Sequence, residues 1–108
     1  MNSISDDDVD RALDFLQDNA KEAAQARAER AYIEQYRKTL KAEIMKEHLN
    51  MPIGGQEREA YADPRYKALL DGLRDAVKAD EYHRFMRVAA EAKIEAWRTQ
   101  SSNARSKI

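Results

Sequence analysis

The sequence predicts an all-α protein: two long helices in an antiparallel helical hairpin, coiled-coil-like, joined by a short helical connector. Three observations carry this prediction. Ala, Glu, Lys, Arg and Leu dominate, charged residues make up 36%, and only three Gly and two Pro interrupt them. That composition favours long helices over strands. Apolar residues recur at helical spacing through both halves of the chain. The clearest punctuation, Asn50, Pro52, Gly54 and Gly55, falls near the middle and reads as a connector. Apolar residues are 43% of the 108, but many are Ala, which suits an extended hairpin or an oligomer better than a compact globule.

The first helix is expected over residues 6–48. Ser5 opens it with Asp8 three residues on, the spacing of a capping box with Asp in place of the usual Glu. Asp6, Asp7, Asp8 and Asp10 place negative charge at the positive end of the helix dipole; a patch mimicking DNA phosphates is the functional alternative. Val9, Leu13, Leu16, Ala20, Ala24 and Ala31 share one face, and Ile33, Tyr36, Leu40 and Ile44 roughly the opposite one. The switch near Arg27–Ala31 implies a bend there, or two halves with different contacts.

The connector is expected over 49–63, with one or two turns in GQEREAYA. Gly54-Gly55 lacks the Lys-Ser/Thr of a phosphate loop. The second helix is expected over 64–100, because Pro64 suits a first helical position and Asp63 can cap it. Tyr66, Leu70, Leu73, Val77, Phe85, Val88 and Ala92 form one apolar band, read as the packing face. Met86, Ala90, Ile94 and Trp97 form a second band on the other side, which either packs inside a bundle or docks on a macromolecule. Residues 101–108 are polar and basic and are expected to fray.

Residues 1–18 carry a balance of −5 and residues 84–108 one of +4. A hairpin would bring these stretches together, so mutual neutralisation competes with phosphate binding as the reason for the basic one. The overall charge of −1 gives no global nucleic-acid signal. The chain has no Cys, which excludes disulfides and thiolate zinc sites. An acidic start and the lack of a long apolar run predict a soluble, intracellular protein with no membrane span.

Candidate chemistry is sparse. His48 and His83 are the only histidines and neither sits in an HExxH pattern, so no metal site and no cofactor are expected. The serines lie towards the two ends without a nucleophile-elbow motif. The expectation is a protein that is not an enzyme. The five tyrosines, at helical spacing, suggest packing at an interface that is wet on one side.

Two stretches, QEREAYADPRYKALLDGLRDAV and EAKIEAWRTQSSN, resemble short all-helical accessory proteins of tailed bacteriophages and prophages. The residues that carry the resemblance are Gln56, Glu57, Arg58, Glu59, Asp63, Pro64, Tyr66, Trp97, Arg98 and Thr99. It covers roughly residues 30–103. It implies an early or recombination-region protein of DNA metabolism, located in the bacterial host cytoplasm, and supplies no catalytic residues. The function expected is binding, or inhibiting, a host or phage DNA-processing or defence complex. Tyr36, Leu40, Ile44, Met86, Ile94 and Trp97 are the expected partner-binding residues. The first alternative is single-stranded nucleic-acid binding through Arg87, Lys93, Trp97, Arg98, Arg105 and Lys107, with Trp97 stacking on a base. The second is a structural coiled-coil oligomer, of which a homodimer is the simplest form.

Overall fold

The computed structural model describes residues 3–106 and places four helices in them: α1 Asp6–Asp18, α2 Ala20–Lys46, α3 Ile53–Ala62 and α4 Pro64–Ser106. No strand occurs among the described residues. The starts of α1 and α4 follow directly from their capping residues. Ser5 Oγ accepts the Asp8 backbone N–H at 3.1 Å, and Asp8 Oδ2 accepts the Ser5 N–H at 2.9 Å. That second bond, ahead of the Ser5 hydroxyl and Arg11, holds the Asp8 carboxyl below its ordinary range. At α4, Pro64 takes the first position and Asp63 Oδ1 accepts the Arg65 N–H at 2.8 Å.

Three boundaries differ from expectation. The span 6–48 is interrupted at Asn19, and α2 runs unbroken through Arg27–Ala31. The Asn19 side chain donates to the Phe15 carbonyl at 3.0 Å, the same oxygen its own backbone N–H reaches. A short amide side chain that competes for ladder acceptors perturbs a helix in this way. In the connector, Gly54 and Gly55 do not break a helix but lie inside α3, which starts just after Pro52. Neither has positive φ, and a Cβ on Gly55 would meet Met51 Cβ at 3.3 Å. Residues 101–106 of the tail continue α4, and 107–108 lie outside the described residues. That stretch holds no Gly or Pro, and Ser106 Oγ donates to the Ser102 carbonyl.

Burial along the long helices follows alternate steps of three and four. Val9, Ala12, Leu16, Asn19, Ala23, Ala26, Arg30 and Ile33 are buried or partly buried, and the same spacing continues through exposed Arg37 to buried Leu40 and Ile44. On α4 the positions are Tyr66, Leu69, Leu73, Ala76, Asp80 and His83, then exposed Arg87, then Ala90, Ile94, Trp97 and Ser101. This is a heptad pattern, which drifts about 20° per repeat from a straight-helix face. The bands expected from 3.6-residue spacing therefore slide off it: Leu13, Leu70, Phe85 and Val88 are exposed.

The chain forms two compact units, Met1–Ala24 with Glu81–Ile108 (unit 1) and Gln25–Asp80 (unit 2). In unit 2, Leu40 and Ile44 of α2, Ala60 of α3 and Tyr66 of α4 form a buried cluster, with Met45 and Leu69 against it. Tyr61 meets Tyr66 edge-on at 5.3 Å. Arg65 bridges Glu47 and Asp63: its Nη1 and Nη2 each donate to Glu47 at 2.9 Å, and Nη2 lies 3.0 Å from Asp63 Oδ2. Arg30 reaches Asp80 at 3.2 Å. In unit 1, Val9, Ala12 and Ala90 are buried. Ile4 and Gln100 exchange two hydrogen bonds, Ile4 N–H to Oε1 at 3.0 Å and Nε2 to the Ile4 carbonyl at 2.8 Å. No helix among the described residues is long and apolar enough to cross a membrane.

Candidate docking surfaces

The six expected partner-binding residues fall in three different environments. Leu40 and Ile44 are core residues of unit 2, and Ile44 is 0% exposed. This corrects their assignment to a docking face: α3 folds onto that side of α2 and Ala60 covers it. Ile94 and Trp97 are partly buried in unit 1, where the Trp97 indole N–H donates to Asp6 Oδ1 at 2.9 Å. The face expected to need an outside partner is thus the inward one, and the expected packing band of Phe85, Val88 and Ala92 is outward. Met86 and Tyr36 are exposed, at 36% and 37%, and Tyr36 lies alongside another large ring.

That ring belongs to Tyr32, one turn earlier on α2. The two stack with centroids 6.1 Å apart and planes 6° from parallel, and Tyr32 is 66% exposed. Exposed Glu29 and Glu43 lie along the same side of α2. Sequence reading missed Tyr32 as a site residue, although its four-residue spacing from Tyr36 was the available signal. Lys41 points elsewhere, 4.8 Å from the Tyr61 ring centroid and 3.8 Å from Glu57. Its hydrogen bond to Tyr61, before the attraction of Glu57, raises the ammonium above its ordinary pKa.

The alternative set of basic residues is dispersed. Arg98 pairs with Glu95 at 3.2 Å, and Arg87 approaches Glu91 at 3.9 Å. Arg87, Arg98 and Arg105 fall on one side of α4 at helical spacing, and Lys93 on another. Lys93 and Arg105 are exposed. Lys107 lies outside the described residues. Trp97, the residue meant to stack on a base, is held by Asp6 and turned inward. Among the described residues no group of three or more His, Asp or Glu could hold a metal ion.

A second outward apolar surface runs along α4 in unit 1. Tyr82 and Phe85 are 61% and 60% exposed, and Val88 is 48% exposed. Exposed Ala89, Ala92 and Ala96 follow them. No known protein family, curated protein or solved structure matches the chain.

Proposed function

We propose that this chain is a non-enzymatic binding protein that docks on a partner protein through the Tyr32–Tyr36 surface of α2. The observation that carries this reading is the exposed, stacked tyrosine pair flanked by carboxylates. Tyrosine offers a large apolar area with a polar tip and little rotamer entropy to lose, which is why it is enriched in binding surfaces. Glu29 and Glu43 give the surface acidic edges. They disfavour a phosphate backbone and favour a partner bearing Lys or Arg, which can also sit over the rings. In this reading the two long helices form an antiparallel hairpin. Two contacts in unit 2 support it, Arg30 with Asp80 and Glu47 with Arg65. In unit 1 the Asp6–Trp97 and Ile4–Gln100 contacts support it. The partner class, a host or phage DNA-processing or defence complex, rests on the resemblance of residues 30–103 alone.

The test is affinity capture from bacterial lysate with and without nuclease treatment, comparing the native chain with a Tyr32→Ser/Tyr36→Ser double variant. The expected result is a specific protein that survives nuclease treatment and is recovered at least about tenfold less by the variant. Recovery of nucleic acid alone, lost on treatment, would overturn the reading.

A further inference from the structure

We infer that the outward face of α4 in unit 1 is a homodimer interface, in which the α4 helices of two copies run antiparallel. This surface is separate from the tyrosine pair and goes beyond the function proposed for it. Its residues, Tyr82, Phe85, Ala89, Ala92, Ala96 and Thr99, follow the three-four spacing of a helix that faces another helix. All six are exposed. They lie opposite Ala90, Ile94 and Trp97 around the helix, the positions α4 turns inward in its own unit. Ala92, Ala96 and Thr99 also line an open groove along α4.

The occupant follows from the taper of this stripe. Its first two residues are large and exposed aromatics, and the rest are small. An antiparallel copy centred between Ala89 and Ala92 sets Phe85 against the partner's Ala96 and Tyr82 against the partner's Thr99. Large then meets small at both ends of the stripe, and between them Ala89 meets the partner's Ala92, which lets the helices approach closely. A parallel copy in register sets Phe85 on Phe85 and holds the alanines apart. The flanks agree: the antiparallel pairing places Val88 beside the partner's Glu95 and Met86 beside the partner's Lys93, so no like charges meet and the charged stems cover apolar atoms. Tyr82 to Thr99 spans about 26 Å of helix at the α-helical rise. Covering it removes on the order of 500 Å² from each copy, near the lower bound for a specific interface. The dimer is therefore a reversible one.

Sedimentation velocity over a concentration series tests this directly. The expected result is a monomer–dimer equilibrium weakened at least about thirtyfold by Phe85→Glu. Far-UV circular dichroism should show unchanged helicity, and Ala92→Glu should reproduce the effect should Phe85→Glu unfold. Orientation is read by cross-linking, because the chain has no Cys of its own. A mixture of Tyr82→Cys and Thr99→Cys chains should form disulfide-linked pairs more readily than either chain alone. A monomer at every concentration, a dimer indifferent to both charged variants, or linkage favoured within each single variant would overturn the proposal.

Discussion

The two units are built from the same long helices but close their cores differently. Unit 2 has a third element, α3, whose Ala60 is fully buried and lies in the cluster with Leu40, Ile44 and Tyr66. Ile44 is accordingly the largest side chain with almost no exposure. Unit 1 has only α1 with parts of α2 and α4, and its buried residues are Val9, Ala12 and Ala90, two of them alanines. Polar contacts to Asp6 and Gln100 supplement that small core. In unit 2 a short helix thus adds a third side to the contact of α2 with α4 and encloses it. The unit without that cover leaves Phe85 and Val88 in water.

The largest expected effect comes from removing the enclosure. Ile44→Ala should cost about 2–5 kcal/mol, the range for truncating a fully buried aliphatic side chain, read as a lower urea midpoint. Hydrogen exchange should show the loss concentrated in amides near Leu40, Ile44 and Tyr66. Equal loss around Val9 and Ala90 would mean that the units unfold together.

A smaller effect should appear in unit 1. Ser5→Ala removes the capping-box oxygen and should cost about 1 kcal/mol. Amides in the first turns of α1 should exchange faster, with those around Ile44 unchanged. An unchanged α1 would show that the Asp6 and Gln100 contacts hold it without the cap.

The smallest effect concerns pH. Hydrogen bonds from the Arg65 guanidinium, foremost, hold the Glu47 and Asp63 carboxyls below their ordinary values. Depressed carboxyl values favour the folded state above the unfolded values of about 4, and that contribution is lost as pH falls through the lower folded values. Arg65→Met should therefore flatten the acid limb of a stability–pH profile below about pH 4. Arg65 and Glu47 are exposed to solvent and Asp63 is partly buried, so added salt should shrink the difference, mostly through the Glu47 pair.

Much of the fold was legible because it depends on local chemistry. The Ser5 capping box, the Asp63-Pro64 start of α4 and the all-helical class each rest on a few neighbouring residues, and the structure has all three. The inward face was not legible in the same way. Tyr66, Leu70 and Leu73 satisfy a 3.6-residue band, but the heptad drift chooses Leu69 over Leu70 and, further on, Ala90 over Val88. Alanines, Asn19, Asp80 and His83 occupy inward positions, so hydrophobicity alone pointed elsewhere. The candidate site suffered most from this. Leu40 and Ile44 lie under α3, a helix whose two glycines read as a break, and Trp97 turns inward on α1. Only Tyr36 and Met86 kept an exposed place, and the stacking partner of Tyr36 showed what its surface offers.

The contacts of unit 1 join residues far apart in the chain, Trp97 coming 91 positions after Asp6 and Gln100 coming 96 after Ile4. Unit 2 is continuous in sequence. Closing a long loop costs conformational entropy before any contact rewards it, and distant contacts slow folding accordingly. Once unit 2 has formed, the intervening residues no longer wander and the two segments of unit 1 start from a shortened tether. The cluster around Ile44 is therefore expected to form before α1 meets α4, and pulsed hydrogen exchange during refolding should show amides near Ile44 protected earlier than those near Val9 and Ala90.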